Sequence, residues 1–285
     1  MEHTVKFENQ SFGKGLGTML KVDFRRMRKS KLFYILIACA LLIPVIMTVM
    51  LTMMDGTESK NPQTGEITIM EGPESVWESI GTLPSDEPAP EQRGDAAMGG
   101  MGAMGGMDVM AMCNINMMFM LAAVFVCLFI SDDFRSGFSK NLFTVRAKKG
   151  NYVISKTIAG FVCGALLLIA YFAGALLGGA VSGLSFALVG GLTVINIVLC
   201  MLAKIFLMLV FVSIFVIVSV AAKQRAWLSI CGSLGAGMLL FMMVGMITPL
   251  NSTLLNLLLC GAGGALFAIG LGTFSRLILR KAALI

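Results

Sequence analysis

Six predominantly apolar runs of 22 to 29 residues dominate the chain: Leu32–Met54, Val109–Ile130, Thr157–Val181, Leu192–Val220, Trp227–Thr248 and Leu254–Leu279. Crossing a hydrocarbon core of roughly 30 Å takes about 20 helical residues. Inside lipid every backbone polar group must be bonded internally, so segments of this kind are helices. The expected fold is therefore all-α: a polytopic membrane protein with six transmembrane helices. Residues 1–31 form a cytoplasmic tail with an amphipathic interfacial helix, and 32–285 form the six-span domain, with an outer loop at 55–108 and an inner loop at 131–156.

Composition supports this reading. Charged residues make up 13% of the chain, against roughly a quarter in ordinary soluble domains. The net charge of +6 is spread between the apolar runs, and it forms neither the single face nor the arm that binding to nucleic acid needs. The first run lies behind a long basic tail and has no small-residue cleavage site, so it reads as a true span and not a cleaved signal peptide. Seven cysteines stand singly without a CxxC pair and read as packing residues. The one histidine is His3, which leaves little material for histidine catalysis or histidine-ligated metal.

Orientation follows from where the cations sit, because lysine and arginine accumulate on the inner side. Of 22 basic residues, 19 fall in the tail, the loops after the second and fourth runs, and the C-terminal end. The segment Asp55–Asp108 carries eleven acidic residues against Lys60 and Arg93, and the other two outer loops are uncharged. Both termini are therefore expected in the cytoplasm. The outer segment holds five of the seven prolines and few large apolar residues, which suits a solvated loop or an attractor of cationic peptides. A short helical turn after Pro73 is expected, with Val76, Trp77 and Ile80 on one face.

On a helix, Phe12, Leu16, Met19, Leu20, Phe24 and Met27 share one side, and Lys14, Lys21, Arg25 and Arg28 the other. The pattern fits a helix lying in the interface, either as a generic basic anchor or as a gating or partner-contact element. Asp23 interrupts the apolar face. In the inner loop, Ser131 is expected to cap a helix whose dipole Asp132 and Asp133 complement. Phe134, Phe138, Leu142 and Val145 then form a stripe beside Arg135, Ser139, Lys140 and Arg146. Such a helix either docks in a partner's groove or packs on the membrane surface.

The stretch FRSGFSKNLFTVRAKKGNYVISK after the second run, supported by VDFRRMRKSKLFYI before the first, resembles the type-2 ABC exporter permeases. These include small permeases of drug and lantibiotic efflux or immunity systems in Gram-positive bacteria. The segment AKKGNY is more basic than the usual pattern. The resemblance implies a coupling helix that docks on a separate ABC ATP-binding subunit through Phe134, Arg135, Gly137, Phe138, Lys140, Asn141 and Leu142. It further implies two such subunits, with ATP and Mg bound there, and a second permease copy or a related permease. The implied setting is the bacterial cytoplasmic membrane, and the implied cargo is hydrophobic drugs or antimicrobial peptides. No GxxxxGK[ST] phosphate loop is present, and GAGGALFAIG lies within an apolar run. The chain is thus expected to have no catalytic, cofactor-binding or metal-ligating residues of its own. An ATP-independent secondary transporter or channel is the alternative, weakened because no Asp or Glu lies inside an expected span.

Three further features stand out. Gly160, Gly164, Gly174 and Gly178 form two small-xxx-small pairs in the third run, a pattern for close helix approach. Lys204 lies within the fourth run, either reaching the outer interface or a structural partner, or lining the substrate path. MGGMGAMGGMDVM, Met98–Met110, reads as a flexible linker or a thioether site for Cu(I).

Overall fold

The computed structural model describes residues 12–60, 67–69, 75–80, 114–144, 149–188, 192–223 and 225–282. Among them are eight α-helices: α1 (Phe12–Lys29), α2 (Lys31–Met54), α3 (Met117–Arg135), α4 (Phe138–Thr144), α5 (Lys149–Ser182), α6 (Val194–Ala222), α7 (Ala226–Ile247) and α8 (Leu254–Ala282). Five of these, α2, α3, α5, α6 and α8, are long and apolar enough to cross a membrane. The apolar α7 has 22 residues, a length of about 33 Å at 1.5 Å per residue. The helices stop where the sequence supplies a breaker. Gly183 adopts φ +71° after α5, a conformation that costs glycine nothing. Pro249 follows α7 and cannot continue a helix.

α6 is the centre of the bundle, packed against α3, α5, α7 and α8. Its aromatic residues make much of the core: Phe119 of α3 meets Phe211 with ring centroids 4.5 Å apart, and Phe211 meets Phe215 at 6.0 Å. By contrast, α8 leaves Leu254, Leu255, Leu258, Leu266 and Ile269 exposed. That is the apolar exterior a helix facing lipid presents.

α2 attaches to the bundle through α5, and the contact depends on glycine. A Cβ at Gly174 would run into the carbonyl oxygen of Leu41 and lie 2.7 Å from Pro44 Cγ. One at Gly178 would lie 3.0 Å from Val45 Cα. Pro44 sits inside α2, and the Thr48 hydroxyl donates to its carbonyl at 2.6 Å. Gly160 and Gly164 face different neighbours, Val212 and Val126 for the first and Met208 for the second. The four glycines thus hold two separate joints, α5 on α6 with α3 and α5 on α2, and all of these contacts lie within one subunit.

Among the described residues, the segment after α2 adds a small non-helical part. β1 (Glu58–Lys60) pairs antiparallel with β2 (Ile67–Ile69), with Ser59 opposite Thr68. The turn expected after Pro73 is a 3-10 turn, Val76–Ser79, capped by the Ser75 hydroxyl. Val76 and Ile80 are buried, Val76 presses on Gly179, and the Trp77 indole donates to the Phe186 carbonyl at 3.4 Å. This part of the segment is docked on the C-terminal end of α5.

Several expectations are adjusted. α3 begins at Met117 after a turn at 114–116 and runs on to Arg135, so the second apolar helix is shifted toward the inner loop. α5 has 34 residues, about 51 Å at 1.5 Å per residue, and carries Lys149–Lys156 as helix ahead of the apolar run. The methionine-rich stretch Met98–Met110, Cys113, the residues Val145–Lys148 and His3 lie outside the described residues, as do the side chains of Phe12, Lys14 and Lys140.

Candidate functional site

Asp23 falls on the apolar side of α1, where an unpaired carboxylate would be costly. The structure explains its presence. α1 lies against α5, and Lys156 Nζ sits 2.7 Å from Asp23 Oδ1, while the Ser155 hydroxyl donates to Asp23 Oδ2 at 2.6 Å. Lys156 also pairs with Asp133 Oδ2 at 2.6 Å, and the Tyr152 hydroxyl donates to that same oxygen at 3.1 Å. Arg26, one turn beyond Asp23, pairs with Asp133 Oδ1 and reaches Asp132 Oδ2 at 3.4 Å.

Asp23, Lys156 and Asp133 are buried and Arg26 is largely covered. The four charges sum to zero, the condition under which buried ions persist. Three elements distant in sequence, α1, the end of α3 and the start of α5, are thereby tied at one point. Aromatic faces complete the enclosure. Lys156 Nζ lies 4.0 Å from the Phe129 ring centroid, and the Arg26 guanidinium lies 4.8 Å from that of Phe138.

The inner loop differs from its expected form. Ser131, Asp132, Asp133, Phe134 and Arg135 are the last turn of α3, and not the cap and first turn of a loop helix. The acids therefore sit at the negative end of a helix dipole, unfavourable by about 0.3–1 kcal/mol each, and Arg26 and Lys156 offset this. Gly137 makes the break. It adopts φ +73° one residue after the cap Ser136, whose N–H donates to the Asp132 carbonyl at 2.8 Å. Its own carbonyl then accepts from the Asn141 N–H at 3.1 Å, opening the seven-residue α4.

The seven residues assigned to coupling divide by placement. Phe134 meets Tyr152 edge-on, ring centroids 6.4 Å apart, and with Leu142 packs against the core. Phe138 is half-buried under Arg26, whereas Arg135 and Asn141 are exposed. Lys140 lies on α4. Apolar side chains hold this elbow to the bundle, and Arg135 and Asn141 face outward.

Lys204 does not reach the surface. It is fully buried, and its ammonium donates to Asn116 Oδ1 at 2.8 Å and Thr248 Oγ1 at 3.0 Å. Asn116 stands at the start of α3 and Thr248 at the end of α7, so Lys204 ties two helix ends together. No acidic residue pairs with it among the described residues. A second polar joint links α3, α6 and α7: the Ser229 hydroxyl donates to Ser219 Oγ at 2.8 Å, and Ser219 to Cys127 Sγ at 3.4 Å. Among the described residues, His, Cys, Asp and Glu gather in no group of three that would hold a metal ion.

Sequence reasoning singled out none of Asp23, Arg26, Tyr152, Ser155 and Lys156 as site residues. The one available signal was the acid on the apolar face of α1. The family model described as ABC-2 family transporter protein matches residues 18–260, from within α1 into α8. No curated protein and no solved structure matches the chain.

Proposed function

The chain belongs to the ABC-2 transporter family, as the membrane subunit of an ABC transporter with a separate ATP-binding partner, and we propose that it is the six-span permease of a bacterial exporter. The proposed spans are α2, α3, α5, α6, α7 and α8, with both termini in the cytoplasm of a cell bounded by the bacterial cytoplasmic membrane. The positive-inside count supports this orientation.

The elbow from Phe134 to Leu142 is the proposed docking point for the ATP-binding subunit. One observation carries this reading: Arg26 joins the buried Asp133 and the Phe138 ring, and Asp133 joins Lys156. A push on Phe138, Arg135, Lys140 or Asn141 is thus delivered to α1, α3 and α5 together. Phe134, Gly137 and Leu142 set the angle of the elbow. Coupling needs such a rigid relay, because force applied to a loosely held loop would dissipate in local motion.

Two ATP-binding subunits, carrying ATP and Mg, and a second permease copy or a related permease complete the proposed assembly. Hydrophobic drugs or antimicrobial peptides are the proposed cargo. An apolar cavity of about 250 Å³ between α6, α7 and α8, lined by Phe211, Met243, Cys260 and Phe267 among others, supports an apolar cargo. Affinity purification of the tagged chain from mild detergent tests the central claim. Recovery with an ATP-binding subunit, and ATP-dependent efflux of an apolar dye from cells expressing both, is expected; a chain that exports without any such subunit overturns it.

A further inference from the structure

A cavity of about 630 Å³ lies where α1 turns into α2, against the last turns of α3 and the first residue of α7. Its rim is cationic: Arg25, Lys29 and Arg135 are exposed there, and none of the three forms an ion pair among the described residues. Arg26 and Asp132 also line it and are engaged with each other at 3.4 Å. The floor is apolar, made by Leu32, Leu128, Phe125 and Phe129. Two further features lie at the boundary between rim and floor. Ser30, which precedes α2 and lines the cavity, makes no side-chain capping bond to that helix. Ser131 also lines it, and its buried hydroxyl finds no hydrogen-bond partner.

A cationic rim calls for an anion, and the orphan Ser131 hydroxyl calls for a hydrogen-bond acceptor. The apolar floor calls for a hydrocarbon portion on the same molecule. The position, at the end of three apolar helices, is the level of a membrane interface. We propose that this cavity binds the phosphate headgroup of an anionic phospholipid, with an acyl chain lying along Leu32, Leu128 and Phe129. The ligand's phosphate takes Arg25, Lys29 and Arg135, and accepts from Ser131. The site depends neither on which face of the membrane is cytoplasmic nor on the cargo.

The test titrates short-chain phosphatidylglycerol or phosphatidylcholine into the full chain in neutral detergent. Phosphatidylglycerol is expected to bind about tenfold more tightly. Arg25→Gln/Lys29→Gln removes that preference, whereas Lys21→Gln/Arg28→Gln, which deletes equal charge from α1 outside the cavity, keeps it. Ser131→Ala, with every charge retained, weakens phosphatidylglycerol about fivefold. Equal affinity for both lipids, equal loss in both double variants, or an unaltered Ser131→Ala affinity each overturns the site. Inorganic phosphate competing as well as the lipid would assign the cavity to a soluble anion and overturn the lipid reading.

Discussion

Lys156 Nζ lies 2.7 Å from Asp23 Oδ1 in a buried pair that spans 133 positions of sequence. Removing Lys156 leaves Asp23 with only the Ser155 hydroxyl, whereas removing the Asp23 charge leaves Lys156 paired with Asp133. Lys156→Met should destabilise the fold by about 3–5 kcal/mol, the usual cost of orphaning a buried ion, and Asp23→Asn by less, because Lys156 keeps Asp133. The double variant should cost less than the sum of the two, by about 0.5–3 kcal/mol. Thermal unfolding in detergent, followed as a double-mutant cycle, measures this; strict additivity would show that the two side chains do not act on one another.

Phe138 sits between the cluster and the outward side of the elbow, with Arg26 4.8 Å from its ring centroid. In Phe138→Asp the new carboxylate would compete with Asp133 for Arg26 and remove the apolar contact offered to a partner. The expected result is loss of the co-purified ATP-binding subunit at unchanged membrane insertion. Retained recruitment removes Phe138 from the proposed docking point.

Gly137→Ala places a Cβ at φ +73°, a conformation that costs a non-glycine residue about 1–2 kcal/mol. No neighbouring atom would meet that Cβ, so the strain is purely conformational and should appear as altered elbow geometry. Coupled ATPase activity of the complex should fall while subunit binding persists. An unchanged coupling ratio counts against Gly137 as the device that sets the angle.

The glycines of α5 should differ in tolerance although the sequence presents them as equals. At Gly174 the obstacle is the backbone carbonyl of Leu41, which cannot yield without moving α2; at Gly164 it is the flexible Met208 side chain. Overpacking costs typically about 1–3 kcal/mol. Gly174→Ala should fall at or above the top of that range and Gly164→Ala near the bottom, as read by thermal stability. The reverse order would mean that α2 does not approach α5 this closely.

The contrast between those glycines shows what was legible in the chain. Apolar run length located the helices, and the spacing of Gly160, Gly164, Gly174 and Gly178 announced close packing, because both are local properties of one segment. Which helix each glycine meets is not local. Asp23 was visible only as a flaw in an amphipathic face, because its partners Ser155 and Lys156 lie more than 130 residues away. The SDD at Ser131–Asp133 matched an N-terminal cap by composition. α3 instead continues through it, because cations from α1 and α5 offset the acids at its C-terminal end. The true break was written in Gly137, which the family resemblance had marked for its position and not for its φ.

Lys204 poses the remaining energetic question, because its ammonium is buried with two neutral acceptors, Asn116 Oδ1 and Thr248 Oγ1. Burying an ion in a membrane protein is costly, and a residue kept under such conditions usually serves function over stability. Methionine has a similar length and no charge. The Thr248 hydroxyl already donates to the Val244 carbonyl at 2.7 Å, so Lys204→Met leaves chiefly the Asn116 oxygen without a partner, a cost of about 1–3 kcal/mol set against relief of the buried charge. Thermal stability is therefore expected to stay level or rise. Efflux by cells expressing the complex is expected to fall, since the positive charge joining the ends of α3 and α7 would be gone. Normal efflux with raised stability would reduce Lys204 to a structural tie, whereas lowered stability would show that its hydrogen bonds outweigh its desolvation.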